Sequence, residues 1–407
     1  MPAAQRTWDM GLLTLVVCLV FTAACTPDRP SRPPAELVER LQRLNQDNTA
    51  LVDRVGERMQ ALLSGELDKQ NTPYVDILVL SGGADWGAFG AGFLNAWSGL
   101  PPEHPLTMPR FDVVTGVSTG ALIAPYAYLR EYQRADDLYR GSTPVWSNRS
   151  LVFGLFTGHG FYDISLLEEL IRADLDQHLR RRLYETRGSG RSLLVATTDL
   201  DLGMLRLWDL LDEAGDAERL FAVQRAAIAV PAAFDPVLLD GNLHADAGVL
   251  MQLFVAPQPR QLRRLLEAWR RSHPGTVPHV RYWVIINNRV HEPPSTVQPS
   301  WHDTLSRSMA MMLKSGVLAP LRMLWLQVEQ LRAEGFAAEL RWVSIPADFP
   351  IDQTLPMFDP RTTIALSDLG RRMALSGTAW RSDVPSYTWR EFEDGADVPP
   401  VEAPAPP

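Results

Sequence analysis

The stretch Phe111-Asp-Val-Val-Thr-Gly-Val-Ser-Thr-Gly-Ala-Leu-Ile-Ala124 constrains the fold more than any other part of the chain. A β-branched apolar run passes through Gly116-Val117-Ser118-Thr119-Gly120 into a segment of small apolar residues. That order reads as strand, sharp turn and helix with a serine at the apex, the layout of a nucleophile elbow. In such an elbow the serine holds a strained backbone, and the entering strand and leaving helix nearly touch. A Cβ at Gly116 or Gly120 would push the two elements apart. The helix that follows would aim free N–H groups and its positive dipole end at the serine oxygen, which suits a developing oxyanion. The bland alternative is a glycine-rich strand–helix turn that binds nothing.

The 407 residues suffice for one large domain or two smaller ones. A formal charge of −9 argues against nucleic acid as the main partner and against adhesion to anionic lipid by charge alone. Both cysteines, Cys18 and Cys25, precede the body of the chain, which removes disulfides, thiol nucleophiles and cysteine zinc sites from consideration there. No metal or cofactor is expected.

Residues 1–24 read as an export signal, with an apolar run Met10–Phe21 too short to span a bilayer comfortably. The run ends in Thr22-Ala23-Ala24-Cys25, which resembles the lipobox of bacterial lipoproteins. That resemblance implies cleavage before Cys25, lipidation of its sulfur, and, with Thr26 following, a place on the outer membrane facing the periplasm. Plain secretion is the alternative. Residues 25–34 form a Pro/Ser/Arg linker, residues 35–68 a helix with leucines at three- to four-residue intervals, and residues 391–407 a disordered tail. The helix is expected to pack on the main domain, with a coiled-coil role as the alternative.

Residues 72–390 remain for the main domain. Tyr74–Leu80 is a nearly continuous apolar run, as in a buried parallel strand. It enters Ser81-Gly-Gly-Ala-Asp-Trp-Gly-Ala-Phe-Gly-Ala-Gly92, which lacks the Gly-Lys-Ser/Thr of a phosphate loop but offers backbone N–H groups for an oxyanion. Leu151–Gly160 is an apolar, glycine-punctuated loop, open as an acyl-chain entrance or a plain surface loop. Further strands are expected over Ser192–Leu200, Val280–Asn287 and Leu340–Ile345. Helices are expected over Ser165–Arg182, Phe221–Pro236, Asp303–Arg332 and Pro360–Trp380. A hairpin with an Asp240-Gly241 turn delivers Asp246-Ala247-Gly248. The methionine stripe Met309, Met311, Met312 and Met323 is expected in the core, with a lipid-binding surface as the alternative.

Ser81-Gly-Gly-Ala-Asp-Trp-Gly87, Gly116-Val-Ser-Thr-Gly120 and Asp246-Ala-Gly248 resemble, in order and spacing, the three signature blocks of the patatin-like phospholipases. The resemblance covers roughly Tyr74–Trp380. It implies an α/β fold with a mostly parallel central sheet between helices, and a Ser–Asp dyad that hydrolyses lipid acyl esters. Carried onto this chain, it makes Ser118 the nucleophile, Asp246 the base, and the N–H groups of Gly82, Gly83 and Ala84 the oxyanion hole, with Gly116 and Gly120 as the elbow glycines. The chain departs from the pattern at Ala84 and Ala247, usually glycine, and at Trp86, usually basic. These departures keep a second reading open, a degenerate lipid- or partner-binding scaffold of the envelope. A Ser-His-Asp triad drawing on His273, His279, His291 or His302 is the rival mechanism, and His244 stands where it would orient Asp246.

Overall fold

The computed structural model describes residues 29–65, 74–141, 147–148, 162–175, 177–231, 233–276, 278–291, 294–352 and 355–383. The export segment with Cys25, the apolar loop 151–160 and the C-terminal tail lie outside the described residues.

Helix α1 (Pro34–Leu63) precedes β1 (Tyr74–Leu80), α2 (Gly87–Trp97), β2 (Val113–Gly116), α3 (Thr119–Leu129) and α4 (Tyr132–Arg140). The two-residue strands β3 (Ser147–Asn148) and β4 (Tyr162–Asp163) pair with each other. Helices α5 (Ser165–Asp174) and α6 (Gln177–Glu185) stand where one helix was expected, because Leu175 leaves the helical backbone. Then come β5 (Ser192–Asp199), β6 (Met204–Asp209), α7 (Leu210–Glu213), α8 (Ala217–Ala227), β7 (Val237–Leu239) and β8 (Asn242–Asp246). The chain continues with α9 (Pro259–Ser272), β9 (His279–Arg289), α10 (Trp301–Ala333), β10 (Ala337–Ile345) and α11 (Pro360–Leu375). Helix α8 starts earlier than expected because the Asp216 carboxylate caps the N–H groups of Glu218 and Arg219.

The main sheet runs β10-β9-β1-β2-β5-β8-β7, and β6 also pairs with β5. β10, β9, β1, β2 and β5 are parallel, while β6 and β8 run antiparallel to β5. Alternation along β1 sends Leu78 and Leu80 to one face and Val75, Ile77 and Val79 to the other. The first face packs against α2, α3, α4, α8 and α11; the second packs against α1, α9 and α10. The result is a three-layer α/β fold in which both sheet faces are covered, which is why its strands read as apolar runs. Leu51, Val55, Met59 and Leu63 of α1 belong to the second core, so this helix is a packed part of the domain.

Two prolines inside helices show how the layers are tied. Pro125 in α3 has no N–H for the carbonyl of Ala121, and the buried Gln224 of α8 donates to that oxygen instead, at 3.2 Å. Pro320 in α10 likewise frees the carbonyl of Gly316, which accepts the N–H of Gln252 at 3.1 Å.

The methionine stripe does not lie in the core. Met309, Met311, Met312 and Met323 are between 37% and 66% exposed, because α10 buries a different face: Val317, Leu321, Leu324, Val328 and Leu331.

Asp76, the one charge in β1, pairs in register with Arg281 of β9. Arg281 donates to both its oxygens at 2.7 and 2.8 Å, and the indole of Trp283 donates to Oδ1 at 3.0 Å. Removing one member of a buried pair strands the other. We expect Asp76→Ala to lower the unfolding free energy by about 3 kcal/mol in urea titrations.

Candidate active site

The central strand β5 brings the site together. Along one edge it pairs first with β2, up to Gly116 opposite Val195, and then with β8, from Asp246 opposite Thr197 to His244 opposite Asp199. The other edge carries β6 across Leu194–Asp199, so β2 and β8 abut end to end on the same side. One residue of β5, Ala196, separates the strand ends, two steps of about 7 Å in all at the usual rise. Ser118 leaves the end of β2 and Asp246 ends β8, so the sheet delivers both to one point.

Ser118 sits at φ 53°, ψ −124°, a conformation disfavoured for a non-glycine residue, and caps α3. The elbow glycines are required by contact. A Cβ on Gly116 would lie 2.4 Å from the carbonyl oxygen of Gly120, and one on Gly120 would lie 2.4 Å from that of Leu80. A Cβ on Gly82 would come 3.2 Å from the Cβ of Ser118, which places the glycine loop beside the serine.

Asp246 is buried. Its Oδ1 accepts the N–H of Gly248 at 2.7 Å, and Oδ2 has no hydrogen-bond partner of ordinary geometry among the described residues. Burial pushes its pKa up to about 6; the Ser118 hydroxyl, close enough to interact with the carboxylate, and the Gly248 N–H oppose the rise. Ala247 adopts no positive φ, so alanine fits where the motif usually has glycine.

Of the three expected oxyanion donors, Gly82 departs. Its N–H donates to the carbonyl of Gln252 at 3.0 Å and is not free for another oxygen. The N–H groups of Gly83 and Ala84 make no hydrogen bond among the described residues. Gly83 has no room for a side chain, since a Cβ would meet the Asn287 carbonyl oxygen at 1.9 Å. Ala84 carries φ 50°, the left-handed region where glycine is favoured.

Two residues not singled out from the sequence brace this loop. Asn287, at the end of β9, donates its side-chain amide to the carbonyl of Ser81 at 2.9 Å, and its own N–H to the Ser81 hydroxyl. Gln252 links three pieces: its carbonyl takes the Gly82 N–H, its N–H goes to Gly316, and Nε2 donates to the Gly248 carbonyl at 3.2 Å. Trp86, where the motif usually has a basic residue, lies 5.5 Å from the guanidinium carbon of Arg289. Asp85 next to it accepts the N–H of Phe358, and burial raises its pKa to about 6.

No imidazole hydrogen-bonds to Ser118 among the described residues. His279 opens β9 at the opposite end of the sheet and pairs with Glu339, and His273 stacks on Trp269. His244 makes no hydrogen bond to the Asp246 carboxylate among the described residues; its Nδ1 meets the Thr197 hydroxyl at 2.9 Å, and burial lowers its pKa.

This geometry bears on comparison with known proteins. Residues 78–257 match the family model described as patatin-like phospholipase. Among solved structures, VipD from Legionella pneumophila is similar over 77% of this chain and 68% of its own, at 12% identity and a TM-score of 0.32. So slight a likeness bears on neither fold nor function. No curated protein matches the chain.

The strain at Ala84 is measurable. A left-handed alanine costs about 1–2 kcal/mol, against roughly 0.5–1 for the freedom glycine gains in the unfolded chain. We expect Ala84→Gly to stabilise the fold by about 0.5–1 kcal/mol in thermal or urea unfolding.

Proposed function

We propose that this chain is a lipid acyl hydrolase that works through a covalent acyl-serine, with Ser118 as nucleophile and Asp246 as base. The observation that carries the reading is the convergence of the Ser118 hydroxyl on a buried carboxylate with an unpartnered oxygen, beside two unpaired amides. Asp246 accepts the Ser118 proton as Oγ attacks the ester carbonyl. The carbonyl oxygen becomes an oxyanion facing the N–H groups of Gly83 and Ala84, near the start of α3. Collapse expels the alcohol, which leaves with the proton held by Asp246. Water then attacks the acyl-serine, giving its proton to Asp246, and Ser118 recovers a proton as the fatty acid departs. Catalytic hydrogen bonds often tighten only once substrate is bound, which accommodates the open Oδ2.

The scaffold reading draws on one observation, the inward-turned Gly82 amide. A missing oxyanion donor typically lowers the rate by about 10²–10³. Hydrolysis of a short p-nitrophenyl ester separates the two readings. The hydrolase reading expects turnover that falls about 10³-fold or more in Ser118→Ala and Asp246→Asn. Equal rates in wild type and Ser118→Ala contradict it.

The base must be ionised to act. With the Asp246 pKa near 6, kcat/KM is expected to rise with pH through about 6 and level off above it. Asp85 titrates in the same range, so Asp85→Asn is the control that should leave the rise in place.

We further propose that the chain is exported and tethered to the outer membrane through lipid on Cys25, which would leave the domain at its substrate. Growth with an alkyne fatty acid should label the wild-type chain and leave Cys25→Ser unlabelled. Equal labelling of both would contradict the tether.

A further inference from the structure

Helix α10 is apolar on two faces. One is buried against the sheet through Val317, Leu321, Leu324, Val328 and Leu331. The other faces outward. Trp301, Leu305, Met312, Met323 and Leu326 are each more than half exposed. At about 100° per residue these five fall within roughly 40° of one line along the helix. The positions between them on that line are Ser308 and Ala319, with Gly316 at its edge, where a Cβ would meet the Gln252 side chain, so the stripe carries no charge. From Trp301 to Leu326 it runs for about 37 Å. A stripe of this kind is what a protein surface avoids unless something covers it.

The stripe is continuous with the site. Gly316, freed at its carbonyl by Pro320, accepts the N–H of Gln252, and the Gln252 carbonyl accepts the N–H of Gly82 in the glycine loop. Two hydrogen bonds therefore join the middle of the stripe to the loop beside Ser118. The turn just after Asp246 packs against α10, and its Val249 and Leu250 are also exposed. Whatever covers the stripe therefore lies beside the turn that follows Asp246.

The geometry points to the surface of a lipid bilayer as that cover: α10 lies in the interface by its outer stripe and presents the site to the membrane. By length and composition Asp303–Ala333 is apolar enough to cross a membrane, yet only 25% of its apolar window is buried. Its sheet-facing side is held by the domain, so it lies on the bilayer and does not cross it. A tryptophan at one end suits the headgroup level. An uncharged stripe on a chain of charge −9 favours a zwitterionic surface over an anionic one. The choice of lipid as occupant rests on the acyl-hydrolase reading; the exposed stripe does not.

The test uses the full chain with Cys18 and Cys25 replaced by Ser and Ser118→Ala to stop turnover. Single cysteines are placed in turn at Leu305, Met312, Met323 and, as a control on the opposite helix layer, Arg372, and each is labelled with bimane. Vesicles of phosphatidylcholine brominated along the acyl chain are added. A stripe inserted about 5–10 Å deep should lose about half or more of its emission at 305, 312 and 323, with little change at 372. Recruitment of the chain to vesicles by the apolar N-terminal run alone would not quench the stripe selectively. Quenching at the stripe no greater than at 372 overturns the proposal. So does a spectral change that grows with protein concentration without lipid, alongside a dimer in light scattering, since a second copy would then cover α10. Ester hydrolysis by the unmodified chain is read separately, so an undocked helix and an inactive serine give different results.

Discussion

One edge of a β-strand can hydrogen-bond to one neighbour at a time, and the site depends on that constraint. β5 gives the first half of its edge to β2 and the second half to β8. The end of a parallel strand and the end of an antiparallel one are thereby forced to meet. Residues far apart in the chain become neighbours without a loop having to find them. The serine conformation follows: to leave β2 and enter α3 within the space left by β8 and the glycine loop, Ser118 takes a positive φ costing on the order of 1–3 kcal/mol. Burial of Val117, Ala121 and Ile123 on the two sides holds it there.

The same domain treats its buried carboxylates differently, and the difference separates structure from chemistry. Asp76 is matched across the ladder by Arg281 and held by Trp283. Asp136 is held by Arg371, Ser367 and Asn95. Among the described residues Asp246 has no cation to offset its burial; a hydroxyl and one backbone N–H act against it, and its affinity for a proton rises. A carboxylate in that condition is a better base than one in water and is poorly suited to be a structural anchor.

Much of this was legible from residue order. The apolar runs of β1, β5 and β9, the elbow around Ser118 and the Asp240-Gly241 hairpin all depend on local pattern, and local pattern survives into the fold. Positive φ at Asp240 and Gly241 is what such a turn demands. What could not be read was direction. Glycine content marks the loop at residues 81–84 as able to donate N–H groups, but nothing local says that the Gly82 amide turns back to Gln252. Gln252 and Asn287 carry no motif, since each is defined by the distant backbone it holds. β6 is an alternating segment, Leu205-Arg206-Leu207-Trp208, whose signal was available and is plain once Gly203 is seen to turn the chain at φ 65°. The methionines of α10 misled because apolar residues at helical spacing do not say which of two apolar faces meets the core.

The proposed chemistry requires that β5 set a lone carboxylate against an activated serine. A crystal structure of the protein after reaction with a fluorophosphonate ester tests it most directly. The account predicts phosphorus bonded to the Oγ of Ser118, its oxygen directed at the N–H groups of Gly83 and Ala84, and an Asp246 oxygen within about 3 Å of that Oγ. An adduct elsewhere, or an imidazole at the serine with Asp246 turned away, would contradict it.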